Sequence, residues 1–304
     1  MMYMIGATVL FSFGPVLIRM GINQGISPDH LMVLRLFIAA PLFFLAVMIS
    51  GNRGDAKISK GDLPFLVILS VAGMGSAMFC FFRSIAYLGA SVATIIGAIT
   101  PATVMLFAYV LYSRPVTWRQ IASMVISFFG VVLLIMPMVG LRGFGGIVRS
   151  SLVGVGYVLM ANLCSSGAML GFERYLRKKS PLTASFHVTG MMFLFYGVAN
   201  GLPSLHFGAK TWVIVFLLGS VTWFIPFMLY FHGIKALGSS NAVLVQNAGP
   251  MVTVLAAGVL LGERLTMVQI AGMAIIMVSV YLLRVGGDAE KSSATAVKGI
   301  PPLP

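Results

Sequence analysis

The stretch LGASVATIIGAITPATVMLFA at Leu88–Ala108 returns as LGSSNAVLVQNAGPMVTVLAA at Leu237–Ala257, 149 residues later, in phase and without a gap. Leu88/Leu237, Gly89/Gly238 and Pro101/Pro250 coincide, and beyond the stretch so do Thr117/Thr266, Gln120/Gln269, Ile121/Ile270 and Ala122/Ala271. The chain is one unit written twice. A second correspondence, at an offset of 153, pairs Ser27-Pro28 with Ser180-Pro181 and Ser12-Phe13-Gly14 with Ser165-Ser166-Gly167. The segment Gly51–Gly61 offers the place where the first copy carries its extra length.

Composition decides the solvent in which this unit folds. Of 304 residues 59% are hydrophobic and 9% charged, and the mean hydropathy is +1.01. Such a chain lacks the polar surface that a water-soluble protein of this length must present. Apolar runs near the roughly 20 residues that cross a bilayer core recur ten times between short polar breaks. The expected spans are Met4–Met20, Leu31–Ser50, Leu63–Phe82, Ser91–Tyr112, Trp118–Met138, Ser151–Leu170, Leu182–Asn200, Trp212–Phe231, Asn241–Leu261 and Met267–Leu283. The runs are continuously apolar instead of alternating, which excludes a β-barrel and leaves helices, whose backbone polar groups are satisfied within each segment. The first span has no Lys or Arg before it and is long for a signal peptide, so a retained helix is expected. Cys80 and Cys164 fall inside spans, where they read as small buried hydrophobes.

A formal charge of +13 would point to nucleic acid in a soluble protein, but here its distribution gives orientation. With the N-terminus inside, one side carries thirteen cations, among them Arg53, Lys57, Lys60, Arg114 and the run Glu173–Lys179 (ERYLRKK); the other carries six, among them Arg19, Arg83 and Arg264. By the positive-inside rule both termini are expected in the cytoplasm, in a multi-pass protein of the inner (plasma) membrane. The tail from Gly286 is polar and is expected to be disordered. Two copies of five helices have a geometric consequence: an odd number of crossings makes the second copy enter from the opposite side. The fold class expected is therefore all-α and integral to the membrane, ten transmembrane helices in two inverted five-helix repeats. Inverted repeats build the two gates of many secondary transporters, and duplication for packing alone is the alternative.

At this point the residues carry a resemblance. The small-Leu-Gly pattern, a proline twelve residues after that glycine, and LLGERLTMVQIAGMAIIMVSVYLL at Leu260–Leu283 resemble the EamA repeat of the drug/metabolite transporter superfamily. The second copy matches through Pro250, Gly262-Glu263, Gln269 and Gly272; the first departs, with Ser113-Arg114 and Ser123 at the corresponding places. The resemblance divides the chain into a first repeat over 1–140, a second over 141–285 and a cytoplasmic tail over 286–304. It implies a ten-helix carrier with a central cavity between two bundles. The solutes it implies range over amino acids, aromatic metabolites, cationic drugs and sugar phosphates.

Individual residues can be weighed beside that resemblance. Pro101 and Pro250 stand near the middle of the fourth and ninth spans, where each removes a helix hydrogen bond. With Gly97 and Gly249 nearby they are expected to act as hinges or to line the cavity, a static kink being the plainer reading. Pro226 has no counterpart, since Ala77 takes its place, and reads as an ordinary kink. Ser27-Pro28 and Ser180-Pro181 read as helix starts, with Asp29 as a first-turn acid. All seven carboxylates, Asp29, Asp55, Asp62, Glu173, Glu263, Asp288 and Glu290, fall at helix ends, in loops or in the tail. Coupling through a midplane acid is therefore not expected. His187 and His232 are the histidines available for a His-linked mechanism, and each reads first as a structural, hydrogen-bonded side chain.

Solute contacts are sought among mid-span polar groups, which lipid penalises: Asn162, Ser165 and Ser166, Ser12, Gln246 and Asn247. Helix-to-helix hydrogen bonding is their plainer role. Asn162, Gln246 and Asn247 stand out because the first copy has Val9, Gly97 and Ala98 there. Arg35 lies about a turn inside the second span, where it either snorkels to the interface or faces the cavity and suits a carboxylate or phosphate; Arg83 is a second choice. Trp223 and Tyr230, with Phe79 and Phe82, are available to stack on an aromatic or cationic solute.

The residue patterns for chemistry are missing. Four scattered histidines without HExxH or paired carboxylates do not supply a hydrolase or a metal site, and GFGG at Gly143–Gly146 lacks the strand-to-helix setting of a phosphate loop. A channel would want a polar stripe through several helices. The expected function is a secondary transporter of a small organic solute, an amino acid or related metabolite, exported by alternating access; a polytopic enzyme or a passive channel is the alternative. No cofactor, metal or nucleic acid is expected, the partners being the solute and the lipid bilayer, with the chain a monomer or homodimer.

Overall fold

The computed structural model describes residues 2–50, 57–112, 147–201, 205–237, 239–246 and 249–262, with short stretches inside 118–133 and 266–278. Every regular element among them is helical. The first two, α1 (Met2–Ser12) and α2 (Gly14–Asn23), are halves of one apolar stretch parted at Phe13. Pro15 contributes to the break, because it brings no N–H to the carbonyl of Phe11 one turn earlier. Next, α3 (Pro28–Ile49) runs for 22 residues. Its start follows local cap chemistry: the Ser27 hydroxyl accepts from the His30 N–H at 3.2 Å, and Pro28 fills the first helical position.

From Leu63 the chain forms α4 (Leu63–Val67), a π-helical turn at Ile68–Gly75 and α5 (Ser76–Leu88). Gly89, with φ +82°, turns it into α6 (Ala90–Gly97), and after a break at Ala98-Ile99 comes α7 (Thr100–Tyr112). The second half opens with the 30-residue α8 (Ile147–Leu176) and α9 (Pro181–Asn200), the latter capped by the Ser180 hydroxyl accepting from the Thr183 N–H. It continues with α10 (Ala209–Gly219), a second π turn at Ser220–Phe224, α11 (Ile225–Leu237), α12 (Ser239–Gln246) and α13 (Gly249–Leu261).

Among the described residues six continuous helical stretches are long and apolar enough to cross a bilayer: Met2–Asn23, Pro28–Ile49, Leu63–Leu88, Leu152–Leu176, Pro181–Asn200 and Ala209–Leu237. The expected fourth span arrives as two shorter helices, and the ninth is described on either side of Asn247-Ala248. Pro101 is the second residue of α7, after the break at Ala98-Ile99, so it opens a new helix instead of kinking a continuous one. A proline there loses no helix bond of its own helix. The expected span Trp118–Met138 lies largely, and the tail from Gly286 wholly, outside the described residues, while the described part of Met267–Leu283 is helical. The outer surface is apolar, with Val198 at 86% and Val259 at 85% exposed, as a surface solvated by lipid requires.

Without water to drive association, helices in lipid hold together through close backbone approach and interhelical hydrogen bonds. Gly219 shows the first: a β-carbon there would fall 2.5 Å from the Ile38 Cβ and 2.9 Å from the Arg35 carbonyl, so α10 lies directly on α3. The π turns show the second. They fall at corresponding places in the two halves, Val71–Gly75 and Ser220–Phe224 being 149 residues apart. A π turn interrupts the regular bond pattern, and other helices supply donors to its carbonyls. The Val71 carbonyl accepts from the Tyr196 hydroxyl of α9 at 3.3 Å, and the Thr222 carbonyl accepts from Nη2 of Arg35 on α3.

Candidate functional site

Two helix interruptions meet the second half of the chain at one cavity of about 280 Å³. Ser12 and Gly14 flank the break between α1 and α2, Gly97 and Thr100 the break between α6 and α7, and Gln246 of α12 and Gly249 of α13 face them; all six line the space. Its size lies just below the roughly 300–1,000 Å³ typical of drug-sized ligands, which suits a small metabolite. Both halves of the chain contribute to the wall.

The sequence-selected residues distribute as follows. Asn162, Ser165, Gln246, Trp223, Tyr230, Ser12 and Arg35 line the cavity, as do Gly97, Gly249, Pro250 and Phe82. Asn247 lies outside the described residues, and so does the side chain of Pro101. Ser166 is turned to α7, its hydroxyl 2.7 Å from that of Thr103, which is the helix-pairing role. Phe79 is engaged elsewhere, under the Arg83 guanidinium at 4.7 Å and stacked on Tyr196. Arg83 itself forms a two-pronged bridge to Asp29, Nε to Oδ1 at 3.0 Å and Nη2 to Oδ2 at 2.6 Å. It is thereby committed to a carboxylate of the protein. His187 is buried against the Tyr175 hydroxyl at 2.8 Å and His232 lies 2.9 Å from the Met228 carbonyl; neither lines the cavity.

Local chemistry explains how the polar wall is held. Pro101 has no N–H for the carbonyl of Gly97, and the Thr100 hydroxyl takes that place at 2.5 Å. The same hydroxyl lies 2.8 Å from Oδ1 of Asn162 on α8. With one proton it donates to one of the two, so the Asn162 amide, turned either way, keeps one polar atom open. As placed, that atom is Nδ2, buried without a partner. In the second half Gly249 stands at the place of Thr100, brings no hydroxyl, and approaches α1 so closely that a β-carbon would meet the Ser12 Oγ at 3.1 Å. The Thr253 hydroxyl, one turn on, donates to the Ser12 carbonyl at 2.8 Å and ties α13 to the break in α1.

Arg35 resolves inward instead of snorkelling. It is 5% exposed, its Nη2 donates to Thr222, its guanidinium lies 4.5 Å above the Trp223 ring, and its Nε has no acceptor. Trp223 in turn stacks on Phe227 with centroids 4.4 Å apart and donates from Nε1 to the Thr189 hydroxyl. The tryptophan selected for stacking on a solute is thus already engaged by protein groups. Tyr230 meets Phe11 edge-on at 5.8 Å. Among the described residues Arg35 is the one charged side chain in the lining.

Thr100, Thr253 and Phe227 were not among the selected residues. A usable signal existed for the first: a hydroxyl residue directly before a mid-span proline is placed to serve the carbonyl that the proline leaves open. Phe227 carried none, since phenylalanine occurs in seven of the ten expected spans.

A multi-pass helical membrane protein with a small site between its two halves has the form of a membrane transporter, and comparison with known proteins establishes that class. The chain matches the EamA-like transporter family twice, over residues 1–136 and 152–285, and belongs to that family. An uncharacterized transporter of Archaeoglobus fulgidus is 25% identical over 260 residues, covering 85% of this chain and 89% of its own. The uncharacterized transporter YcbK of Bacillus subtilis is 23% identical over 286 residues, covering 89% and 88%. One solved structure shares the fold with a TM-score of 0.70 at 17% identity, over 93% of this chain and 95% of that one.

Proposed function

We propose that this protein is a secondary carrier that exports a small organic solute, an amino acid or related metabolite, across the cytoplasmic membrane. In this reading ten helices form two inverted repeats, both termini face the cytoplasm, and the two bundles alternate access to the central cavity. The observation that carries it is one cavity lined by both halves of the chain, with the helix breaks at Phe13 and Ala98-Ile99 on one side and Gln246, Gly249 and Pro250 on the other. Broken helices expose backbone polar groups at membrane depth, and this is tolerated where they border a protein-lined site. Asn162, Ser165, Gln246 and Ser12 are assigned to solute contact, with Asn247 as their neighbour in sequence, and Pro101 and Pro250, with Gly97 and Gly249, to the gating motion.

The carboxylates support a mechanism without a midplane acid. Asp29 is bound to Arg83, Asp62 to Lys178 at 3.1 Å, and Glu173 to the Ser239 hydroxyl and N–H, all at helix ends. Counterflow in proteoliposomes, with a solute panel and with or without a pH gradient, tests the whole reading. Saturable counterflow that persists without the gradient is expected; strict dependence on the gradient refutes the facilitator or exchanger mode. Asn162→Ala and Gln246→Leu are expected to raise the half-saturating concentration, and unchanged kinetics in both reject the cavity assignment.

A further inference from the structure

We infer that the cavity takes a solute bearing a carboxylate, and that Arg35 receives it. The inference rests on the carrier reading and names its substrate class. A side chain 5% exposed and formally cationic is ordinarily paired with an acid. Here the described acids are committed elsewhere: Asp29 to Arg83, Asp62 to Lys178, and Glu173 to Ser239. What surrounds the guanidinium is a carbonyl dipole, from Thr222, and two ring faces, Trp223 at 4.5 Å and Phe82 at 5.6 Å. These groups offset part of the cost of burial and supply no negative charge. Nε remains buried without an acceptor.

A solute carboxylate supplies both missing things, one negative charge and acceptor oxygens that match the guanidinium fork. A cationic solute meets a like charge, with no acid among the described lining residues to receive it. A phosphate dianion would leave net negative charge among apolar walls, which is costly. The rest of the lining sets the body: Phe11, Phe81, Met74 and Met169 favour an apolar or aromatic group within about 280 Å³. The open atom of Asn162 is available to a second polar group on the solute.

The test uses the full-length protein in proteoliposomes and two matched sets of competitors: 3-phenylpropanoate, its primary amide and 3-phenylpropylamine, and the corresponding set built on 4-methylpentanoate. The acids are expected to compete for counterflow about tenfold better than their amides and amines. In Arg35→Gln that preference is expected to disappear while competition by the amides stays within about twofold. Arg35→Lys, which keeps charge and a donor to Thr222, is expected to retain part of the preference, and it serves if the Gln variant does not fold. An acid preference that survives in Arg35→Gln, or amides or amines that compete better than the acids in the wild type, overturns the inference. Counterflow of some other solute against which neither acid competes overturns it too and leaves the carrier reading intact. Absence of saturable flux for every solute brings down both.

Discussion

Thr100 opens α7, the second part of the expected fourth span. Its hydroxyl reaches the Gly97 carbonyl at 2.5 Å and the Asn162 amide at 2.8 Å, so one oxygen links the break between α6 and α7 to α8. Valine has nearly the same shape and no hydroxyl, which leaves a buried carbonyl and an amide each short of a partner. Thr100→Val is expected to cost about 1–3 kcal/mol, whereas Thr100→Ser keeps the bond. Thermal unfolding of the purified protein in detergent decides this, and equal melting of the two variants counts against it. The same scale shows where sequence reading stops. That Arg35 lies inside a span is plain from its neighbours, but a position near the end of a helix permits both snorkelling and burial. The deciding partner, Thr222, is 187 residues away in sequence. Trp223 is similar: an aromatic at mid-span is visible, while its engagement by Arg35 and Phe227 belongs to tertiary packing.

Among the elements, cap chemistry was the most legible because it is local. Ser27-Pro28 and Ser180-Pro181 each start a helix as read, the serine oxygen within 3.2 Å of an N–H three residues on. The π turns left no such trace, since one extra residue per turn changes no composition and shows only in the carbonyls that Tyr196 and Arg35 serve. Pro101 falls between these cases: a disruption there was readable, but its form, a break with the proline opening a new helix, was not. This form bears on motion. Pro101→Ala supplies an N–H to the Gly97 carbonyl and favours joining α6 to α7. If the break flexes during transport, that substitution is expected to slow flux about tenfold, equivalent to about 1.4 kcal/mol on the barrier, without lowering the melting temperature. Pro226→Ala, whose counterpart is already Ala77, provides the control and is expected to leave flux unchanged. Initial rates of counterflow measure both, and an unaffected Pro101→Ala identifies a static break.

At the scale of the molecule, the cations of the described residues gather at one end. Lys178 binds Asp62, Lys179 reaches the Lys57 carbonyl at 3.0 Å and Lys235 reaches the Lys179 carbonyl at 3.4 Å, so segments distant in sequence meet in one basic rim. The N-terminus belongs to this end, because the Tyr3 ring lies 5.4 Å from that of His232, three residues before Lys235. At the opposite end Arg19 lies 3.5 Å from the Ile85 and Ala86 carbonyls and Arg83 is bound to Asp29. Loops rich in Lys and Arg are retained on the cytoplasmic side during insertion, so the rim and the N-terminus are expected inside the cell. Two exposed positions separate the ends: Lys60 on the rim and Gln24 in the turn between α2 and α3. With Cys80 and Cys164 replaced by serine, Gln24→Cys is expected to react with a membrane-impermeant maleimide added to intact cells. Lys60→Cys is expected to react only once the membrane is opened or everted. The reverse pattern places the basic rim outside, inverts the proposed topology, and with it the side of the membrane on which the Asp29–Arg83 end of the molecule lies.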